Sequence, residues 1–272
     1  MDGKLQRRVQ RYGWDAAAPV YESSWGERLK PAQDTLLEIA TLKPGMRVLE
    51  VACGTGLVTL RIAESVMPGG SVFATDIADE MVTETTAQAT SKGLNNVEAS
   101  RMGAEDLAVE DGSFDAALCA LGLMYVPDPD KAISEMRRAV RQGGRVAVTV
   151  WGERRNCGWA GIFPIVDAHV QSEVCPLFFS LGAPGALSSA MTSVGLTNVE
   201  ERRHAVDLEW PDEQSLLSAQ IDGGAVALAA KRFSPETHRE VETAFLESVS
   251  EYRRNDGSYA IPGEFVTAAG LA

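Results

Sequence analysis

The chain has 272 residues, with Lys+Arg 25 against Asp+Glu 38, a formal net charge of -13, 45% hydrophobic and 23% charged residues. This is the composition of an ordinary globular protein able to bury a core, and its acidic balance argues against a broad surface that grips nucleic-acid phosphates or anionic lipid. The longest apolar run, Ala116 to Val126, is too short for a membrane span, and no apolar run follows the charged start, so a cytoplasmic protein is expected.

Residues 5–44 read as helical, broken at Pro19 and resumed from Pro31 to Leu42, and their basic start (Lys4, Arg7, Arg8, Arg11) reads as a solvated, frayed end. Arg47–Val51 is a short strand running into a glycine turn, and Leu57–Val66 has helical spacing. Ser71–Thr75 is a second strand, and Asp79–Ser91 a second helix with Asp79 as its expected N-cap. Val97–Arg101 and Phe114–Ala120 follow as strands, then an amphipathic helix Asp130–Arg141 stopped by Gly143-Gly144, and a strand Arg145–Trp151. Strands alternating with helical patterns of this length imply βαβ units. The expected fold is α/β, a doubly wound, Rossmann-like, mostly parallel sheet of about seven strands.

Regularity then lapses. Trp159–Glu173 and Pro184–Val194 read as helices, Asn198–Val206 as a strand, Pro211–Arg254 as largely helical with an interruption near Asp222-Gly223-Gly224, and Pro262–Ala268 as a closing strand. The expected organisation is an N-terminal helical lid (1–44), a cofactor-binding α/β core (45–151), a substrate-cap insertion (152–182), and the remainder of the core (183–272) with a second helical insertion at about 212–256.

The most informative segment is Glu50-Val51-Ala52-Cys53-Gly54-Thr55-Gly56. A turn of small residues between a strand and a helix lets the backbone approach a ligand and aims free N–H groups at it. Either a dinucleotide pyrophosphate or another adenosine-containing cofactor suits such a turn. The dinucleotide fingerprint wants a third glycine where Thr59 stands.

An acid followed by small residues at alternate positions resembles motif I of the class I S-adenosylmethionine-dependent methyltransferases, in their small-molecule branch and similar to the ubiquinone and menaquinone C-methyltransferases. Ala52 replaces a family glycine, a mild change if its φ is negative. Asp76 at the end of the second strand, Gly103-Ala104-Glu105 and Asp111-Gly112-Ser113-Phe114-Asp115 continue the resemblance in the same order.

The resemblance implies S-adenosylmethionine as cofactor and S-adenosylhomocysteine as product. It implies a cradle of Glu50, Ala52, Gly54, Thr55 and Gly56, the ribose hydroxyls on Asp76 with Ile77 beside them, and the adenine between Met81 and Gly103-Ala104. Gly103 stands where the family often carries Asp, so Glu105 or a main-chain carbonyl would meet the adenine amino group. Ala120 to Tyr125 would meet methionine and substrate, and Tyr21 would reach the methionine end.

The implied reaction moves a methyl group to an O, N, S or C nucleophile of a small molecule by in-line displacement. Aromatic residues, among them Tyr12, Trp14, Tyr21, Trp25, Tyr125 and Trp151, would wall the acceptor pocket. His169 is the histidine best placed to act as a general base, against a packing role beside Glu173. The cysteines Cys53, Cys119, Cys157 and Cys175 lack metal-ligand spacing, and Cys157 and Cys175, flanking the cap, read as buried small residues. The alternatives are a quinone-ring C-methyltransferase, weakened by Leu121-Gly122-Leu123-Met124-Tyr125-Val126 where those enzymes show Phe-Gly-Leu-Arg-Asn-Val, and a non-catalytic cofactor binder. A nicotinamide oxidoreductase lacks its third glycine, and a nucleic-acid enzyme its Asn/Asp-Pro-Pro-aromatic motif.

Overall fold

A computed structural model describes residues 3–170 and 178–272. Its centre is a seven-stranded sheet of β1 (Arg47–Val51), β2 (Ser71–Asp76), β3 (Val97–Arg101), β4 (Phe114–Ala120), β5 (Val140–Trp151), β6 (Thr197–Trp210) and β7 (Tyr259–Leu271). The spatial order is β3-β2-β1-β4-β5-β7-β6. β1 to β5 pair in parallel, whereas β7 runs antiparallel to both β5 and β6. The order reverses between β1 and β4, and in open α/β sheets the crevice beyond the carboxyl ends of the strands at such a reversal is where ligands bind.

Apolar positions alternate between the two faces because strand side chains do. Val48 joins a core on one face with Ile62, Ala63 and Val66 of α2 (Thr59–Val66). Its neighbour Leu49 joins the opposite core with Ala132, Ile133 and Met136. Those three belong to α4 (Pro129–Ala139), whose N-cap Asp128 accepts from the Lys131 amide at 3.0 Å. Between these helices in sequence lies α3 (Asp79–Ser91). Later come α5 (Ile162–Asp167), α6 (Ala186–Ser193), α7 (Glu213–Leu217), α8 (Ala227–Ala230) and α9 (Pro235–Ser248). No helix of the described residues is long and apolar enough to cross a membrane.

Several elements differ from their sequence expectation. The N-terminal region is one continuous helix, α1 (Gly3–Ala40), with Pro19 and Pro31 inside it. An interior proline costs about 3 kcal/mol through its missing donor and ring clash, but burial of Ala17, Ala18, Trp25, Leu29, Leu36 and Ile39 holds the helix to the body. Its basic start is not free: Arg7 pairs with Glu105 at 2.6 Å, and Arg11 pairs with Asp79. Asp79 is therefore not the N-cap of α3; Ala78 occupies that position, and Asp79 also takes Arg101 at 2.9 Å.

The Gly143-Gly144 pair lies inside a longer β5, beside a register shift against β4, and does not mark a helix stop. The stretch from Trp159 is a 3-10 turn followed by the short α5, and residues 171–177 lie outside the described residues. β6 and β7 both extend well beyond their expected bounds, because each completes the other's hydrogen bonding along a hairpin from Thr197↔Leu271 to Trp210↔Tyr259.

Glu264 of β7 ties this hairpin to the segment that leaves β5. Its carboxylate accepts from Glu153 N at 2.9 Å, Asn156 Nδ2 at 3.1 Å and Arg203 Nη2 at 2.9 Å. Replacement by alanine strands an amide and a guanidinium in a partly buried place. Glu264→Ala should lower unfolding free energy by about 1.5–3 kcal/mol, read from urea denaturation; a loss near zero would mean that solvent replaces all three donors.

Candidate active site

The glycine turn closes β1 with left-handed backbone at Ala52 (φ +57), Gly54 (φ +57) and Gly56 (φ +94). It is held from α3, where the Thr85 hydroxyl donates to the Gly54 carbonyl at 2.7 Å, and from β2, where the Thr75 carbonyl accepts from Cys53 N at 3.0 Å. A Cβ at Gly56 would come within 3.3 Å of Thr85 Oγ1. Ala52 therefore does not have the negative φ expected of a mild replacement. An L-residue there costs about 1–2 kcal/mol of backbone strain. Its methyl is accommodated because Gly122 faces it without a side chain; a Cβ on Gly122 would overlap that of Ala52.

Asp76 ends β2 and is buried. Its Oδ2 accepts from Gly54 N at 3.0 Å and its Oδ1 from Ala78 N at 2.9 Å. Each carboxylate oxygen offers about two acceptor sites, so two further donors, such as a vicinal pair of hydroxyls, can be received. Burial lifts this carboxyl to about 6, against the pull of the backbone amides. Glu50, one strand over, is pushed to about 8 by burial, with the charge of Asp76 adding to the rise. Its Oε2 has no hydrogen-bond partner among the described residues.

A cavity of about 720 Å³, part of it open to solvent, lies beyond the carboxyl ends of β1, β2 and β4. Tyr21, Ala52, Gly54, Asp76, Ile77, Met81, Gly103, Ala104, Glu105 and Ala120 all line it. Glu50, Thr55 and Gly56 do not; Glu50 and Thr55 are buried behind the turn. Glu105 lines the cavity, but its oxygens already receive Arg7 Nη1 at 2.6 Å and Asp128 N at 3.1 Å.

The sequence reading missed Arg7, Gln10 and Met102 as lining residues. Arg7, Gln10, Trp14 and Tyr21 are spaced by three, four and seven residues, which places them on one face of α1. That periodicity was the available signal. Tyr12, by contrast, is exposed and faces away from the cavity.

A second cavity of about 450 Å³, part of it likewise open to solvent, adjoins the first and shares Trp14, Tyr21, Leu121 and Tyr125 with it. Its walls are aromatic: Trp25, Trp151, Trp159, Phe163 and Phe178 line it, and Gln220 and Gly224 to Val226 complete it. Ring centroids of Trp151–Trp159 and Trp25–Trp159 stand 4.8 and 6.3 Å apart. Among the described residues no charged side chain lines this cavity.

His169 lines neither cavity. It follows α5, with Nδ1 3.7 Å from the Glu240 carboxylate on α9; Glu173, its expected neighbour, lies outside the described residues. Cys157 is buried, while Cys175 also lies outside the described residues. Among the described residues no group of three His, Cys, Asp or Glu is placed to hold a metal.

The first cavity fits an adenosyl group: it offers a thioether, aliphatic walls, a carboxylate with spare acceptor capacity, and a turn whose backbone a ligand can approach. A family described as a methyltransferase domain matches residues 48–144. The chain is 30% identical to the nocamycin O-methyltransferase of Saccharothrix syringae over 75% of its own length and 78% of that protein. The chain belongs to the S-adenosylmethionine-dependent methyltransferases.

This methyltransferase is also 30% identical to the demethylmenaquinone methyltransferase of Bacillus cytotoxicus, over 56% of its own length and 62% of that protein. It spans only 44% of the mycobacterial relatives that it matches at 34% identity. The fold matches the crystal structure of a putative methyltransferase from Bacillus halodurans with a TM-score of 0.61 and 19% identity, covering 89% of this chain and 98% of that one. The cofactor is S-adenosylmethionine, and the enzyme transfers its methyl group to a small molecule.

The buried Glu50 should make the stability of the methyltransferase depend on pH. A carboxyl raised from 4.5 to about 8 binds its proton more tightly folded than unfolded. Its contribution therefore falls as pH rises through that interval. Glu50→Gln, neutral at every pH, should raise unfolding free energy by roughly 1–3 kcal/mol at pH 8 and by almost nothing at pH 4. Thermal melts across that range check this, and a gain independent of pH would contradict it.

Proposed function

We propose that this methyltransferase acts on an acidic oxygen (phenolic, enolic or carboxylic) of a largely apolar, planar acceptor held in the aromatic cavity. The observation that carries this reading is the junction at Trp14, Tyr21, Leu121 and Tyr125, where a cavity suited to the cofactor opens into one walled by rings. Flat apolar molecules are the natural occupants of such walls. The nocamycin relative is named as an O-methyltransferase, which supports oxygen as the reacting atom.

Bound in the first cavity, S-adenosylmethionine supplies a methyl group already activated on a sulfonium. The protein's share is then alignment and exclusion of water. Asp76 receives the ribose hydroxyls, and Met81 with Ile77 covers one side of the nucleoside. Burial keeps Tyr21 protonated, its pKa raised further by the charge of Asp76, so it serves as wall and hydrogen-bond donor and takes no proton. The described lining of the second cavity offers no His, Lys or carboxylate. An acceptor that ionises by its own acidity suits such a lining better than a weakly acidic alcohol does. Among the described residues a cationic amine finds no counter-charge there either. The free buried thiols of Cys53, Cys119 and Cys157 suit a reducing, cytoplasmic setting.

Calorimetry with S-adenosylhomocysteine tests the cofactor half. Asp76→Ala should weaken binding by about 1–3 kcal/mol. Because hydroxyl donors favour the ionised carboxylate, affinity of the unmodified protein should fall as pH drops below about 6, a fall that Asp76→Ala abolishes. Equal affinity in both proteins would remove Asp76 from the site.

Methyl-labelled donor tests the acceptor half across phenols, enols, carboxylic acids, amines and thiols. Label is expected on oxygen, with pH–rate profiles that move with each acceptor's own pKa. Label only on nitrogen, sulfur or carbon, or one profile common to all acceptors, would refute the oxygen reading.

A further inference from the structure

Two buried polar groups belong to residues that line the aromatic cavity and have no partner among the described residues. They are the side-chain nitrogen of Gln220 and the indole Nε1 of Trp159, whose residues have relative exposures of 3% and 4%. Buried donors are almost always satisfied, because a stranded one forfeits its hydration. The adjacent indole of Trp25 obeys that rule, its Nε1 donating to the Ala219 carbonyl at 3.1 Å.

Gln220 is brought there by an unusual piece of backbone. Residues Ser218–Asp222 form a π-helical turn directly after α7. An inserted residue of this kind re-aims the side chains around it and is frequent at functional sites. The Trp25–Ala219 hydrogen bond fixes the turn against α1 one residue before Gln220. Trp159 is clamped from several sides by Trp25, Trp151, Phe163 and Phe178, so its N–H direction is set by packing.

We propose that Gln220 and Trp159 determine acceptor specificity by donating hydrogen bonds to an oxo oxygen at the end of the acceptor remote from its reacting oxygen. This rests on the reading of the aromatic cavity as the acceptor site. The preferred acceptor is a planar fused-ring phenol or enol that carries a distal carbonyl. The remaining wall is carbon-rich, so an acceptor lacking that oxygen leaves both donors stranded. A site built to hydrogen-bond a substrate group rejects the analogue without it far more strongly than an apolar wall distinguishes shapes.

The test compares 7-hydroxycoumarin, a bicyclic phenol with a distal lactone carbonyl, with 2-naphthol, the same shape without it. Each is titrated calorimetrically into the full chain saturated with S-adenosylhomocysteine, at mildly acidic pH where both phenols are neutral. The unmodified protein should prefer the coumarin by about tenfold, the worth of one to two net hydrogen bonds. Gln220→Leu, which keeps the volume and removes the amide, should abolish most of that preference while leaving 2-naphthol binding intact, and Trp159→Phe should reduce it in part.

Absence of a preference in the unmodified protein, or full preference in both variants, overturns the assignment. Ala225→Trp, which fills the cavity, separates the two levels. If it blocks both probes while Gln220→Leu keeps the preference, the donor pair is wrong and the acceptor site stands. If it leaves both probes bound, or if neither probe binds the unmodified protein, the acceptor site itself is wrong, and the inference falls with it.

Discussion

The site exists because a 38-residue helix is laid across the carboxyl edge of the sheet and held there by two unlike forces. Toward its N-terminus α1 is pinned by charge, with Arg7 on Glu105 and Arg11 on Asp79. Further along it is pinned by indole packing, with Trp25 against Trp151, Trp159 and Trp210. Without α1 the crevice at the strand reversal would be an open groove. With it, Arg7, Gln10, Trp14 and Tyr21 supply a wall to the nucleoside cavity, and Trp14, Tyr21, Trp25 and Leu29 a wall to the aromatic one. One element thus walls two adjoining cavities at once and fixes the passage between them.

Beneath that helix the sheet edge carries two buried acids, and their burial is a standing charge-state conflict. Desolvation opposes the ionised form of both Glu50 and Asp76, which also repel one another. Asp76 is partly relieved by two backbone amides, whereas an oxygen of Glu50 has no partner among the described residues. Acceptor groups stripped of water and fixed in place need no reorganisation when donors arrive, and this is how stability is exchanged for a prepared site. Ala52 adds to the same strain, since its backbone stands where glycine is at ease.

The parallel core was legible because each of its signals is local. Arg47–Val51, its small-residue turn, the acid ending β2 and the Gly103-Ala104-Glu105 segment are all written in runs of fewer than ten residues. Ten of the residues named from sequence as cofactor-binding line the first cavity. What escaped was decided by distant partners. Pro19 and Pro31 read as breaks because propensity alone forbids them, and only the burial of the helix around them overrides it. The sign of φ at Ala52 depends on the missing side chain of Gly122, seventy residues away. His169 stands in a stretch of unclear periodicity where only residue type speaks for it, and its described partner comes from α9. Gln220 could not be singled out, since a π turn has no periodic signature and most of its cavity comes from α1, the end of β5 and the segments after β4 and β5.

The distribution of indoles has an optical consequence. The chain has five tryptophans; Trp14, Trp25, Trp151 and Trp159 line the aromatic cavity, and Trp210 stacks edge-on against Trp25 at 5.9 Å. At such separations excitation migrates among rings far faster than it is emitted, so the cluster radiates as one unit. No indole elsewhere dilutes its signal. The near-ultraviolet emission of this protein is therefore a readout of a single place, and a flat conjugated guest entering it would extinguish nearly the whole of that light at once.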